Sequence, residues 1–284
     1  MKKREKIMEY VFLLAAVISI VAVALICIFL FANGIPAMKK IGFAEFLTGT
    51  KWKPGNNKFG IFPMILGSIY VTGGALIIGV PVGVLTSIFM ARFCPEGLYK
   101  LLKPVVNLLA GIPSIVYGFF GLVVLVPFIR EHFKNSNGQS ILCASILLGI
   151  MILPTIISVS ETSLDSVREE LREASLALGA TPIQTIFKVI IPAARSGIVT
   201  GVILGIGRAI GETMAIIMVC GNVANMPNLF KSVRFLTTGI ASEMSYAGGL
   251  HREVLFSIGL VLFIFIMVIN IVINRMFKKQ KNDE

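Results

Sequence analysis

The chain has 284 residues, 56% hydrophobic and 14% charged, with a mean hydropathy of +0.87; soluble domains carry about a quarter charged residues, so this composition speaks against one. The formal net charge of +11 does not mark a nucleic-acid surface, because the basic residues lie between long uncharged runs and read as membrane flanks. Cys27, Cys94, Cys143 and Cys220 are scattered without a CxxC pair, which argues against a disulfide framework or a zinc site.

A spanning helix needs about 20 apolar residues to cross roughly 30 Å of hydrocarbon. Residues 11–32 satisfy that and read as a retained span rather than a cleaved leader. The run 59–91 is uncharged but too long for one straight span, so Pro63 is expected to separate a lead-in from a helix over 64–91. A third span is predicted over 104–129, interrupted by Pro113 and closed near Pro127, and a fourth over 140–160. The fifth, 196–219, is apolar except for Arg208 and Glu212, and the sixth is 254–274. The result is an all-α membrane protein of about six spans in a single domain, 1–284. With both termini in the cytoplasm, 15 of the 26 lysines and arginines fall inside and 10 outside, the sense of the positive-inside rule.

Little here resembles catalytic machinery. His132 and His251 are the only histidines, both in predicted outer loops, and Asp165 and Asp283 the only aspartates, so carboxylate dyads and metal clusters are not expected. No glycine precedes a lysine, which leaves no Walker A loop: any ATP and its magnesium must bind another chain. An enzyme is not expected. Trp52 is expected at the outer interface, as tryptophans commonly are, and Phe119-Phe120 as a lipid-facing or packing pair.

The longest polar stretch, 161–195, has a helix–turn–helix pattern. Ser166 and Glu169 form a possible capping box for a helix to about Leu178. Gly179 is placed as its stop, and Thr181-Pro182 supplies a cap followed by proline at the first helical position. Ile183, Ile186, Phe187 and Ile190 then recur at helical spacing. Pattern alone leaves a surface connector and a docking element for a cytoplasmic partner equally open.

Glu173-Ala174-Ser175, Gly179, Val189, Ile191 and Pro192 resemble, spacing for spacing, the EAA motif of ABC-importer permeases, with Ser175 in place of the second alanine. The resemblance implies a type I ABC-importer permease fold in which 161–195 is the cytoplasmic coupling loop. Glu173, Ala174, Gly179 and Pro192 would then meet the ATP-binding subunit. Three further stretches, 49–63, 108–118 and 207–215, are similar to the phosphate-specific permeases of the PstC type. The sister PstA type typically continues Gly-Glu-Thr-Ala-Pro, where this chain reads Gly211-Glu212-Thr213-Met214-Ala215. The implied setting is a bacterial inner-membrane importer of inorganic phosphate, held in the membrane lipid. It would contain a PstA-type sister permease, two PstB-type ATP-binding subunits and a PstS-type extracytoplasmic binding protein, with no nucleic acid.

In the fifth span Gly197, Gly201 and Gly205 recur every four residues, a face for close helix approach. Arg208 lies about 18 Å beyond Ser196, near mid-bilayer, where a lone arginine costs roughly 3 kcal/mol and must face protein or a water-filled cavity. Glu212, at i+4, is expected on the same face. The two then form either a self-neutralising pair or an anion gate whose guanidinium binds phosphate oxygens while Glu212 accepts the phosphate proton. Thr213, Ser114 and Tyr117 are further candidates for the pathway. Against this stand a permease for another oxyanion or small solute, and a secondary transporter that works without ATP.

Overall fold

The structure, a computed structural model, describes residues 2–133 and 136–282; Asp283 lies outside them. Helices dominate, because in hydrocarbon each backbone N–H and C=O must find a partner within its own segment. Helix α1 (Lys2–Ile41) carries the first apolar run. At 1.5 Å per residue its length is about 60 Å, twice the hydrocarbon thickness. A short α2 (Phe43–Thr48) leads into a two-stranded hairpin, β1 (Trp52–Lys53) and β2 (Lys58–Phe59), with Trp52 opposite Phe59. The hairpin closes where Gly49 and Gly60 touch backbone to backbone: a Cβ on Gly60 would fall 2.3 Å from the Gly49 carbonyl carbon. Helix α3 (Phe62–Ile88) follows, then α4 (Glu96–Gly111), α5 (Ser114–Phe120), α6 (Val126–His132) and the central α7 (Ile141–Asp165). Beyond it lie α8 (Glu169–Ala177), α9 (Pro182–Thr185), α10 (Ile191–Gly211), α11 (Met214–Val219), α12 (Leu236–Glu243) and α13 (Gly249–Asn282).

Among the described residues, six helical stretches are long and apolar enough to cross a membrane: Glu5–Ile41, Phe62–Phe93, Ser114–His132, Ile141–Asp165, Pro182–Gly211 and Gly249–Val272. The first extends beyond the expected 11–32 at both ends, and the third and fifth are shifted. The third starts at Ser114 rather than 104, because the chain breaks at Ile112-Pro113 and the preceding residues form the separate helix α4. It also runs past Pro127 to His132, since the wide turn Gly121–Leu125 accommodates the missing N–H of that proline within a continuous helix. The fifth ends at Gly211 rather than 219 and begins as early as Pro182. Of the polar segment 161–195, Glu161–Asp165 belongs to α7 and everything from Pro182 onward to the long helix. The linking segment proper is therefore 166–181.

Three π turns, Phe89–Phe93, Gly121–Leu125 and Ile186–Ile190, widen the helices, and each is followed two residues later by a proline: Pro95, Pro127 and Pro192. For the last two the cause is steric. A proline has no N–H for the carbonyl four residues back, and its ring presses on that carbonyl. Those carbonyls belong to Val123 and Lys188, the middle residue of each wide turn. Pro95 instead lies beyond the end of its helix, after Cys94 has turned extended.

Helix α7 is the axis of the molecule. Two-thirds of its most apolar stretch is buried, against a third or less for the other spans, and it packs between α3 and α10. Small residues make both approaches close. Gly79 and Gly83 of α3 lie on Ile152 and Ile156, while Gly197, Gly201 and Gly205 of α10 lie on Ser163, Ser160 and Ile156. A Cβ on Gly197 would come within 1.8 Å of Ser163 Oγ. Helix α1, by contrast, is exposed at every position from Glu5 to Ile26. It joins the body only near its C-terminal end, against α13, where Ser257 Oγ donates to the Gly34 carbonyl at 2.7 Å.

Candidate functional site

Arg208 stands one turn from the end of α10. The helix stops at Gly211, and Glu212 turns to an extended conformation (φ −69°, ψ 131°). Its carboxylate Oε1 accepts the Ala215 N–H at 3.0 Å, serving the first turn of α11, while its carbonyl accepts from Thr237 Oγ1 at 3.2 Å. The expected same-face pairing with Arg208 is therefore not made: an i,i+4 contact needs an unbroken helix. Arg208 Nη1 instead donates to the hydroxyl of Thr155 on α7, at 3.3 Å. Thus a guanidinium within a span has a neutral partner, and the neighbouring carboxylate is engaged on a different helix.

The other pathway candidates have local tasks. Tyr117 is buried, and its hydroxyl donates to the Leu109 carbonyl at 2.8 Å. That carbonyl is the one the residue at 113 would serve in a continuous helix, and Pro113 has no N–H to give. Tyr117 therefore repairs the break between α4 and α5 rather than presenting a free hydroxyl. Ser114 is half-buried at the first residue of α5. Thr213 Oγ1 donates to the Gly211 carbonyl at 3.3 Å, across the turn that ends α10. Helices α5 and α11 lie against each other, Gly118 meeting the Ala215 backbone. The fold thus brings Tyr117's helix and the helix capped by Glu212 into contact, whereas the direct partner of Arg208 is Thr155.

At the α8 end, Ser166 does not cap α8. Its hydroxyl donates to the Ser163 carbonyl at the end of α7, Arg168 occupies the cap position, and Glu169 pairs with Arg172. Gly179 takes φ +86°, a left-handed conformation that costs a glycine nothing sterically. Thr181 and Gln184 form a reciprocal capping box, with bonds of 3.3 and 3.0 Å. Ser175, the departure from the EAA pattern, shares a 2.9 Å hydrogen bond with Thr185 that ties α8 to α9. Glu173, Ala174 and Pro192 are exposed, and so are the apolar side chains of Leu178 (89%), Ile183 and Phe187. Beside them opens a groove of about 470 Å³ lined by Leu171, Ala174, Ser175, Leu178, Gln184 and Lys188.

Two clusters have no counterpart in the sequence reading. Glu161 on α7 is fully buried, and its two carboxylate oxygens accept from Tyr99 Oη and Lys103 Nζ of α4, both at 2.7 Å. Tyr99 and Lys103 are four apart, one helical turn, so a single carboxylate spans both; the hydrogen bond to Glu161 pushes the Tyr99 hydroxyl up to about 12. The spacing 99/103 on an amphipathic helix was the available signal, but its partner lies 58 residues or more away. At the hairpin end Glu243, nearly buried, accepts from Trp52 Nε1 at 3.1 Å, from Arg234 and from His251 at 2.7 Å. Trp52 is also packed against Phe59 and His251. Among the described residues no three His, Cys, Asp or Glu side chains come together as a metal site.

The model of the family described as "Binding-protein-dependent transport system inner membrane component" matches residues 83–281, a stretch that contains Glu161, the α8 groove, Thr155 and Arg208. The probable ABC transporter permease protein YqgH of Bacillus subtilis is 43% identical over 92% of this chain and 88% of its own. The phosphate transport system permease protein PstC of Mesorhizobium japonicum is 35% identical over 90% of this chain and 84% of its own. Among solved structures, a bacterial alginate ABC transporter in complex with its pentasaccharide-bound periplasmic protein aligns over 94% of both chains, with a TM-score of 0.67 and 19% identity, which establishes a shared fold. Members of this family are membrane-channel components rather than enzymes. The chain belongs to the family of inner membrane components of binding-protein-dependent transport systems, as a multi-pass ABC-importer permease related to PstC.

Proposed function

We propose that this chain is the permease subunit of an ATP-driven importer of inorganic phosphate in the bacterial cytoplasmic membrane, with both termini inside. The observation that carries the reading is Arg208: a guanidinium within a span whose partner is a neutral hydroxyl, with Glu212 turned away to cap α11. A permanent charge within a span is unfavourable unless a counter-charge arrives, and a phosphate oxygen pair fits the guanidinium fork. Glu212 spends only Oε1 on Ala215; Oε2 would accept the proton that phosphate carries at neutral pH and sulfate lacks. Relatives named phosphate transport permeases support the choice of anion. Transport would run along a pathway shared with a PstA-type sister permease. Two PstB-type subunits would carry ATP and magnesium and receive the exposed α8 groove through Glu173, Ala174, Gly179 and Pro192, and a PstS-type protein would deliver phosphate from outside.

The test is uptake by the complete complex in vesicles, comparing wild type with the Arg208→Leu/Glu212→Leu double variant and with Glu212→Gln. Because Arg208 and Glu212 do not neutralise each other, the double variant should assemble yet fail to move phosphate. Glu212→Gln should admit sulfate in greater proportion. Normal phosphate uptake by the assembled double variant would overturn the reading.

A further inference from the structure

The hydroxyl that meets Arg208 still has its own proton to donate. In the bond from Arg208 Nη1 to Thr155 Oγ1 the threonine oxygen accepts, since a guanidinium only donates, so the Thr155 hydrogen points elsewhere. Hydroxyls on buried helices ordinarily discharge that hydrogen onto the carbonyl one turn back. Thr162 and Ser163 do so on α7 itself, to Ser158 and Val159 at 2.9 and 2.8 Å, and Thr200 does so on α10, to Ser196 at 2.8 Å. Thr155, half-buried and next to Pro154, donates to no group among the described residues. An unspent O–H thus lies beside a guanidinium that has no carboxylate partner among the described residues, on two helices that glycines hold close together. Two donors converging at one depth are both satisfied by an anion that presents two oxygens.

Building on the reading of Arg208 as the phosphate-receiving group, we infer that Thr155 is a second substrate-contacting residue, donating its O–H to one phosphate oxygen while the guanidinium holds another. The contact to Oγ1 has a further effect: it fixes the guanidinium plane relative to α7, so the fork and the hydroxyl face the anion together. Thr155 reads the oxygens of a tetrahedral anion but not its proton. It therefore contributes to holding phosphate, and discrimination against sulfate stays with Glu212.

The decisive variant is Thr155→Val, of the same shape without the hydroxyl. In vesicles holding the complete complex, phosphate uptake, ATP hydrolysed and assembled complex are measured together. Phosphate moved per ATP should fall about tenfold, the scale of one hydrogen bond to a charged group, with the sulfate-to-phosphate ratio unaltered, and Thr155→Ser should restore it. A wild-type ratio of phosphate to ATP in Thr155→Val overturns the inference, and so does a serine variant that fails to recover, because the effect would then be packing. Arg208→Leu, assayed in parallel, separates the two claims. If it transports normally, the gate itself falls; if it is inactive while Thr155→Val is normal, only the role of Thr155 falls.

Discussion

Replacing the charged partners that join α4 to α7 one at a time should have unequal effects, and the inequality follows from their burial. The Glu161 side chain is fully buried, whereas that of Lys103 is 32% exposed. Glu161→Leu removes two charge-assisted hydrogen bonds, but the ammonium left behind already reaches solvent, so the loss should be about 2 kcal/mol. Lys103→Leu leaves a carboxylate with no exposure and one remaining hydrogen bond, from Tyr99, and stranding a buried charge costs about 3–5 kcal/mol. Removing both charges together should recover most of the loss, because well-packed apolar residues often replace a buried pair at little cost. The assay is thermal unfolding of the purified, detergent-solubilised complex, followed by dye reaction with Cys143 and Cys220, which are fully buried in the folded chain. The expected order of stability is wild type, then the double variant, then Glu161→Leu, then Lys103→Leu. Glu161→Leu falling below Lys103→Leu, or a double variant no better than the worse single one, would refute the reasoning.

Gly179→Leu puts a branched side chain at φ +86°, at a local cost of about 1 kcal/mol. Co-purification of the ATP-binding subunit should fall while the permease still inserts, and normal co-purification with normal uptake would make 166–181 only a connector. Cysteines placed at the exposed positions Gly55 and Thr181 should react with an impermeant thiol reagent from outside and from inside respectively, and external reaction at 181 would reverse the topology.

The spans were legible because lipid imposes one demand, an apolar helix of sufficient length, and that demand is written locally. What escaped was written at a distance or already taken. Arg208 and Glu212 satisfy an i,i+4 rule that holds only if the helix continues, and the Glu212 side chain serves α11 instead. Ser166 has the right residue type and spacing to cap α8, yet the end of α7 claims its hydroxyl first. Nothing near Trp52 in the sequence points to Glu243, 191 residues on, as the partner of its indole N–H. Glu161, the most buried acid among the described residues, looked like the first residue of a polar loop, because its partners Tyr99 and Lys103 lie on a helix that sequence spacing cannot bring near. Gly197, Gly201 and Gly205 did announce a close approach, though not that α7 was the helix approached.

The wide turn at Ile186–Ile190 sets an angular phase between two functions carried on one rod. A π turn holds one residue more than the α turn it replaces, and each residue rotates a helix by about 100°. Phe187 and Lys188, beside the α8 groove, and Arg208, beside α7, are therefore not related by a single helical wheel drawn over Pro182–Gly211. Deleting one residue from the turn would leave an apparently better helix of nearly the same length. Because the wide turn absorbs its extra residue within a single turn, that deletion should keep the groove-facing end in phase with the guanidinium, whereas tightening the turn to α geometry without a deletion would swing one end about a quarter turn and put the two out of alignment.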